Sequence, residues 1–512
     1  MISKFVREQK RYSIEELKEI FGSDIKGSAV DDASNLTEII KKLKGYGILK
    51  TVEKNTEQSK MTFLDEEDVE VVSEEDNQNN CYYVFTFVGI IIVKGRIIKC
   101  VPKYMNSLDG ITDNNPSDKI VLDFKQVIKV LKSGKNKKEV VNIYNDCGTD
   151  TSFNRLSVLV YLLDDYYENG LYTKTEDILE TNGMGEINWD RTINDTYPII
   201  YDNRPYYAEL QTKRKVSDED NFFKRLHEIV ITECFKELNE AGLLDILGIN
   251  DIELTEESLP DIGETECILY RLDKELNVQF NTRKQLLLNA IKAYIRNSAK
   301  LYDTNTFSLF GTNSFNLVWE NVCKYVFDDK LDLKINNCGI NNVIIPQNAN
   351  YKKDSKLKDV IEKPKWCEFT KESSVESVAI CTADKTLIPD LITIKKTEDE
   401  LTFIIFDAKY YNLDFSGNVL SGQPGIGDIT KQYLYQLAYK DFIKANGIKK
   451  VKNCFLMPSE ENGKDGVVKK GYVCLDMLDA LGLEYIEYRV LSARKLYELY
   501  LNNQKFEVDL FK

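Results

Sequence analysis

Two β-strand patterns near the carboxyl end constrain the fold of this sequence more than any other feature. Leu387–Lys395 and Leu401–Tyr410 are rich in β-branched and aromatic residues and flank a short acidic turn, which predicts an antiparallel hairpin. In the register that this turn sets, Asp390 lies directly opposite Asp407. Directly opposed residues share a face and have Cβ atoms roughly 5 Å apart. The sequence therefore predicts that two carboxylates converge on a largely apolar strand pair.

The chemistry of this hairpin is that of a hydrolytic metal site. The period of two along a strand puts Lys409 on the same face as the two aspartates. Opposed like charges cost stability unless a cation lies between them, and Mg²⁺ prefers carboxylate oxygens. A lysine beside such an ion can orient water or stabilise charge on a phosphate. The alternative is a solvent-exposed hairpin with ordinary surface charges, but the buried-looking Phe403–Phe406 run fits that alternative poorly.

Residue counts exclude several other chemistries. The sequence has one histidine, His227, so clusters of several histidines around a metal are excluded, and we expect His227 to lie on a helix rather than in a catalytic site. The 11 cysteines contain no Cys-x-x-Cys pair, which indicates reduced core residues rather than a disulfide framework or a zinc site. The remaining hydrolytic chemistry is that of carboxylates and lysine.

The acidic charge balance bears on how the protein meets its partners. A net charge of −15 is unusual for a chain that grips DNA alone, because neutralisation of phosphates drives such binding. The basic segments Lys129–Lys138 and Tyr351–Lys365 are either phosphate-facing patches or solvated loops. We therefore expect another subunit to supply part of the DNA affinity. With no apolar run long enough to span a bilayer and no signal-peptide core at the start, we expect a cytoplasmic protein without membrane association.

The pattern along the 512 residues predicts a multidomain α+β protein. Residues 1–60 resemble a winged-helix module, because a capping box at Ser13 opens a helix and a second helix and a strand follow. Residues 61–304 combine a β-hairpin over Cys81–Lys103 with several helices. Residues 305–512 form an α/β domain with a mixed central sheet. Further predicted segments are helices over 118–132, 155–182, 219–241, 282–301 and 314–327, and a compact loop over 183–193.

The hairpin resembles the active site of the PD-(D/E)xK nuclease superfamily, whose motif matches at Pro389, Asp390, Asp407 and Lys409. The resemblance implies that residues 305–512 are the nuclease core and that Asp390 and Asp407 bind Mg²⁺. It also implies a further acid from the preceding helix, for which Glu320 is the candidate metal ligand and a solvated helix charge the alternative. The helix after the motif borders such sites, so Gln432 could contact phosphate or hold Lys409, or lie at the surface.

A longer set of segments resembles the McrC-type subunit of McrBC-like restriction systems, and most closely the LlaJI restriction endonuclease family. These segments are Tyr83–Tyr104, Gly185–Ile193, Phe315–Phe327, Pro389–Tyr411 and Asp428–Tyr439. The resemblance implies an endonuclease subunit that cuts double-stranded DNA when activated by a McrB-like AAA+ partner. No Gly-x-x-x-x-Gly-Lys-Ser/Thr motif occurs in this chain, so GTP or ATP would be bound by the partner.

The resemblance also implies that the amino-terminal half docks on the partner. The segment Gly185–Ile193 carries Trp189 and Arg191, residue types enriched at interfaces, although a tryptophan packed in its own domain is equally compatible. We expect residues 1–300 alone to bind the partner without cutting DNA. Two other functions stay open: a regulatory subunit with a vestigial nuclease, and a stand-alone repair or transposon nuclease.

Overall fold

The computed structural model describes most of the chain. The described residues are 2–21, 29–53, 81–108, 117–133, 154–173, 175–217, 222–303, 306–369, 377–396, 400–411, 413, 422–460 and 466–506. Helices and mixed sheets are interspersed throughout these ranges, which confirms the predicted α+β class.

The strands are short and fall into several separate sheets. Within the described ranges they are β1 (Ile2–Arg7), β2 (Arg11–Tyr12), β3 (Leu49–Glu53), β4 (Cys81–Phe85), β5 (Val88–Val93), β6 (Arg96–Val101), β7 (Thr175–Thr181), β8 (Glu186–Ile187), β9 (Ile199–Tyr201), β10 (Arg204–Tyr206), β11 (Gln211–Ser217), β12 (Phe307–Thr312), β13 (Lys365–Phe369), β14 (Ser377–Thr382), β15 (Leu391–Lys396), β16 (Leu401–Ala408), β17 (Lys450–Ser459), β18 (Val467–Val473) and β19 (Ile486–Ser492).

The helices range from one turn to more than five turns. Within the same ranges they are α1 (Ile14–Phe21), α2 (Ala29–Gly45), α3 (Asp118–Lys132), α4 (Arg155–Asn169), α5 (Trp189–Asp195), α6 (Phe222–Glu240), α7 (Leu244–Leu247), α8 (Leu259–Ile262), α9 (Thr265–Val278), α10 (Thr282–Arg296), α11 (Phe315–Val326), α12 (Ile426–Ala445) and α13 (Ala493–Leu501).

The chain forms two compact units that are not consecutive in sequence. One unit comprises essentially residues 92–95 and 142–309. It is called the inner unit because its segments lie between those of the other unit in the sequence. The other, called the outer unit, comprises residues 2–91, 96–141 and 310–512. This division differs from the three consecutive segments predicted from the sequence, because the first strand pairs in parallel with β6 and the residues after it contact the carboxyl-terminal core.

The outer unit contains a five-stranded mixed sheet with the order β15-β16-β17-β19-β18. Strands β16, β17 and β19 run parallel, while the two edge strands are antiparallel to their neighbours. Helix α12 packs on one face, where Tyr439 and Phe442 contact Phe403. On the other face Phe406 packs against Phe327, which follows α11 directly. Helices therefore cover both faces, which explains why this strand pair reads as nearly continuous apolar sequence.

The amino-terminal part of the outer unit follows the predicted local order. The capping box is confirmed, because Ser13 and Glu16 exchange hydrogen bonds between their side chains and backbone N–H groups. Strands β5 and β6 form the predicted hairpin around Lys94 and Gly95, both at positive φ as a tight hairpin turn requires. Strand β4 leaves that hairpin and pairs instead with β2 and β3 beside α1 and α2.

Several predicted boundaries were wrong; the helix predicted over 282–301, for example, ends at Arg296. The helix predicted over 155–182 ends at Asn169, because Gly170 at φ +73° ends it, and Thr175–Thr181 forms β7. The segment predicted as a compact loop over 183–193 contains β8 and the start of α5. Strand β15 begins at Leu391 rather than Leu387, since Pro389 cannot donate to a strand ladder.

Candidate active site

The predicted hairpin register is confirmed and fixes the first carboxylate. Leu391 pairs with Phe406, and the pairing continues regularly to Lys396 opposite Leu401. Asp390 directly precedes β15, and its Oδ2 accepts a hydrogen bond of 2.8 Å from the backbone N–H of Ala408. Asp390 is thereby held beside Asp407 at the carboxyl end of β16.

Asp407 is a buried carboxylate, only 6% exposed. Burial raises its pKa well above the usual range, and the neighbouring Asp390 raises it further through charge repulsion and a hydrogen bond between the two side chains. Lys409 opposes this effect without cancelling it. Two carboxyl groups that share a proton in this way form a pair whose proton a cation can replace.

Lys409 bridges two carboxylates. Its Nζ lies 3.2 Å from Oδ2 of Asp407 and 2.8 Å from Oδ1 of Asp428. Burial lowers the pKa of Lys409, but the charge of Asp407 and the contact with Asp428 outweigh burial, so the pKa is raised. The ammonium group is therefore held in one place and fully charged at neutral pH.

The sequence analysis did not identify Asp428 as a site residue. The structure places the cap at Gly425 and Asp428 in the first turn of α12, where an acid is favoured by the helix dipole. The available signal was an acid at the start of the helix that follows the Asp-x-Lys strand.

Glu320 lies in the same cleft but is engaged differently from the aspartates. Its carboxylate pairs with Lys324 one turn along α11. Burial raises the pKa of Cys323, and the charges of Asp390 and Glu320 raise it further. Both carboxylates therefore lie near the thiol of Cys323. In the ranges that the structure covers, no three carboxylate, imidazole or thiolate groups converge closely enough to form a metal site by themselves.

Gln432 supports the catalytic strand from α12. It is fully buried, not at the surface, and its Nε2 donates a hydrogen bond of 3.0 Å to the carbonyl oxygen of Ile405. A contact of Gln432 with phosphate stays a prediction. In the structure this side chain braces the backbone of β16 just before Asp407.

One cleft of about 540 Å³ is bordered by Glu320, Asp390, Lys409 and Asp428, while Asp407 and Gln432 lie behind its lining. Its lining is formed by Gln9, Lys103, Asn316, Glu320, Asp390, Ala408, Lys409, Tyr410, Tyr411, Gly425, Gly427, Asp428 and Lys431. Gln9 and Lys103 come from the amino-terminal part of the chain, which the sequence had assigned to other domains. No local motif could have placed them here, because their contacts with the nuclease motif are distant in sequence.

The donor set fits a hard divalent cation. Mg²⁺ keeps several waters and is usually bound through one or two carboxylates, and Asp390 and Asp407 supply such a pair. Burial and then the neighbouring Asp390 raise the pKa of Asp407, so a bound cation would stabilise the ionised form of this pair. Glu320 lies within the same cleft but is not needed for such a set.

Several other sequence expectations can be checked in the described residues. His227 is fully buried in α6, and its Nδ1 accepts a hydrogen bond of 3.0 Å from the N–H of Tyr172, which confirms its place on a helix. Trp189 is 54% exposed rather than packed in a core. In the basic segment 351–365, Lys356 and Lys358 both pair with Asp332. Much of the other basic segment, residues 134–138, lies outside the described residues.

Cysteine and membrane expectations are also testable in part. Among the cysteines within the described ranges none forms a disulfide, and both buried and exposed positions occur. None of the helices in those ranges combines the length and apolar character of a bilayer span.

Comparisons with known proteins identify the family. The sequence model of the family described as LlaJI restriction endonuclease matches residues 87–487. The type II restriction enzyme BsuMI component YdjA of Bacillus subtilis strain 168 is 31% identical over 436 residues, which cover 84% of this chain and 83% of that relative. A solved half-complex of Thermococcus gammatolerans McrB AAA+ hexamers with bound McrC aligns over 98% of this chain and 99% of the other chain, at 14% identity. Its TM-score of 0.34 is too low to support a conclusion about the fold. On the strength of the family match and the YdjA relationship, this chain belongs to the LlaJI restriction endonuclease family.

Proposed function

We propose that this chain is the DNA-cleaving subunit of a McrBC-like restriction system and acts in the cytoplasm on double-stranded DNA. The observation that carries the proposal is the buried carboxylate of Asp407, which contacts both Asp390 and Lys409, within a chain of a restriction endonuclease family. The arrangement of helix α11, the mixed sheet and α12 around this pair supports a nuclease core of the PD-(D/E)xK type.

The carboxylates of Asp390 and Asp407 would hold Mg²⁺, with Glu320 as a further ligand if its pair with Lys324 opens. When bound, this ion supplies Lewis-acid activation of a phosphoryl oxygen and lowers the pKa of a bound water. Lys409, fixed by Asp407 and Asp428, faces the cleft with a charged ammonium group. It would orient the attacking water and stabilise the negative charge that develops on the phosphate in the transition state.

The remaining cleft residues suit a DNA strand. Lys103 and Lys431 line the cleft beside Lys409, so three lysines border the space that a phosphodiester would occupy. Gln432 would act as a positioning residue, because its bond to the carbonyl of Ile405 fixes the strand that presents Asp407.

A partner subunit completes the proposal. The chain has no phosphate-binding loop of its own and a net charge of −15, and its relative YdjA is described as one component of an enzyme. We infer that an AAA+ partner binds GTP or ATP and drives cleavage. The docking surface would lie in the stretch between β7 and β11, which exposes many large apolar side chains. They are Met184, Ile187, Trp189, Ile193, Tyr197, Ile199, Ile200, Tyr201 and Tyr206.

Plasmid cleavage tests the catalytic proposal. Cleavage is measured with Mg²⁺, with and without the product of the neighbouring gene and each nucleotide, for the unaltered chain, Asp407→Ala and Lys409→Ala. We expect cleavage only with partner and nucleotide, and a loss of at least about 10³-fold in both variants. Cleavage at the normal rate by either variant would exclude the assignment. Cleavage without any partner would favour a stand-alone nuclease, and partner stimulation without cleavage would favour a regulatory subunit.

A surface substitution tests the docking proposal in the full chain. A fragment of residues 1–300 would separate residues 2–91 from the outer unit to which they belong, so substitution is the cleaner approach. Trp189→Ala combined with Tyr197→Ala should lower stimulation of the partner's nucleotide turnover at least tenfold, because exposed aromatics carry much of the energy of interfaces. Phe280→Ala is the matched control, since Phe280 is 92% exposed in the same unit. Equal losses in both variants would count against this surface.

A further inference from the structure

The turn between β1 and β2 places an unusual glutamine in the catalytic cleft. Gln9 has φ +58°, a left-handed backbone conformation that a residue with a side chain rarely adopts. It is only 7% exposed, yet its Oε1 has no hydrogen-bond partner, and it lines the cleft together with Asp390 and Lys409. A buried amide oxygen without a partner is costly to keep.

The same turn is fixed to the segment that carries the catalytic lysine. The carboxylate of Glu8 accepts hydrogen bonds from the hydroxyl of Tyr410 at 2.5 Å and from the backbone N–H of Lys103 at 3.1 Å. The backbone N–H of Gln9 donates to the carbonyl of Phe85 at 2.8 Å. Tyr410 directly follows Lys409 in the chain, so the position of Gln9 relative to Lys409 is determined by buried hydrogen bonds rather than by a loose loop.

We propose that Gln9 is a substrate-binding residue of the nuclease and that its side-chain amide hydrogen-bonds the DNA backbone at the phosphate to be cut. This inference rests on the proposed function. The Nε2 group donates to a phosphate oxygen, while Oε1 stays buried on the protein side. Gln9 combines a strained backbone with an unpartnered polar atom, and it lines a cleft. Such a combination is expected at a ligand-binding position, because neither feature stabilises the fold.

The backbone conformation provides a test that separates binding from folding. Glycine adopts positive φ without strain, so Gln9→Gly removes the amide while suiting the backbone. We expect its melting temperature to equal or exceed that of the unaltered protein. Its kcat/KM for plasmid cleavage should fall about tenfold or more, as should its affinity for a fluorescent DNA duplex measured with Ca²⁺ in place of Mg²⁺. Gln9→Glu keeps the size but adds a charge that repels phosphate, so its losses should be larger.

Asn342→Gly is the matched control. Asn342 lies at φ +55° in the same unit and is exposed, away from the cleft lining. This variant should keep normal cleavage, DNA affinity and melting temperature. Normal cleavage and affinity in both Gln9 variants would overturn the inference while leaving the proposed function intact, provided that Asp407→Ala is inactive beside them. A preparation of the unaltered protein that neither binds nor cuts DNA with its partner would overturn both.

Discussion

The Arg155–Glu237 cluster of the inner unit and the carboxylate cluster around Lys409 in the outer unit differ in their charge balance. In the inner unit Arg155 forms a two-point ion pair with Glu237, with N···O distances of 2.6 and 2.7 Å. Glu237 also accepts a hydrogen bond of 2.8 Å from the N–H of Leu301 and lies 3.5 Å from Lys300. In the outer unit Asp390, Asp407 and Asp428 share Lys409 as the cation that bridges two of them.

The difference separates a structural role from a functional one. Buried charges that are paired and hydrogen-bonded within the protein stabilise one packing arrangement. A buried carboxylate beside a second carboxylate is costly, and the pKa of Asp407 is raised by burial and further by Asp390. Such a cost is retained where an external cation or a substrate completes the site. The comparison is thus consistent with the catalytic site proposed in the outer unit.

The largest expected effect comes from removing the imbalance. Asp390→Asn keeps an oxygen that can accept the hydrogen bond from Ala408 but removes one negative charge. Plasmid cleavage should fall about 10³-fold, or roughly 4 kcal/mol of transition-state stabilisation. The free energy of unfolding without Mg²⁺, measured in urea, should be unchanged or higher because the repulsion with Asp407 is gone. Asp384→Asn, at an exposed position before the same strand, should change neither quantity.

The reverse pattern is expected for the balanced cluster. Arg155→Met leaves Glu237 buried without its main partner, so the free energy of unfolding should fall by about 3 kcal/mol or more. The rate of cleavage per folded molecule should stay normal. Arg225→Met is the control, because the pair of Arg225 with Glu257 is exposed and should contribute less than about 1 kcal/mol. If Arg155→Met abolished cleavage in protein that stays folded, the division of roles between the clusters would be wrong.

The inner unit should also respond to acid through its single histidine. Burial lowers the pKa of His227 to about 4, well below the value of about 6.5 for an unfolded chain. His227 leaves the free energy of unfolding unaffected above pH 6.5 and lowers it as the pH falls towards 4, because only the unfolded chain takes up the proton. The total decrease in the free energy of unfolding is about 3 kcal/mol. Protonation of Nδ1 would also break the hydrogen bond that this atom accepts from the N–H of Tyr172. Urea unfolding across this range should show the loss, and His227→Gln should reduce it; an unchanged slope would contradict this origin.

The smallest effect is expected at the third carboxylate of the outer cluster. Asp428→Asn weakens the hold on Lys409 without removing a carboxylate of the Asp390–Asp407 pair. Cleavage should fall about tenfold through kcat, with KM for DNA nearly constant, since the contact positions a charge that acts in the transition state. Asp441→Asn, at an exposed position further along α12, is the control. A change in KM alone would indicate that Asp428 acts on DNA binding instead.

The sequence was sufficient for features that depend on near neighbours. The turn and alternation around residues 397–400 determined the pairing of Leu391 with Phe406, and hence the approach of Asp390 to Asp407. The capping box at Ser13 and the hairpin turn at Lys94 and Gly95 are equally local. In each case a few residues specify both the backbone conformation and the side-chain direction.

Features that depend on distant contacts were not accessible in this way. Nothing near Gln9 or Lys103 indicates that both line the cleft of Lys409, because their positions follow from the parallel pairing of β1 with β6. Gln432 illustrates the same limit: its helical position was predicted, but whether its amide meets phosphate, Lys409 or the carbonyl of Ile405 depends on packing between α12 and the sheet. The strand Thr175–Thr181 was mistaken for helix because its partner, β11, lies further along the chain.

The parallel pairing of β1 with β6, and the sheet completed by β17 and β19, have a consequence for synthesis on the ribosome. The outer unit needs segments from both sides of the inner unit, so its catalytic sheet cannot close until residues beyond 486 have emerged. The inner unit is almost continuous and can fold earlier, as domains commonly do during translation. A chain that stalls before β19 would carry Asp390, Asp407 and Lys409 without the strand that completes their sheet. If the chain cleaves DNA as proposed, this order of assembly would keep unfinished copies inactive towards the host chromosome.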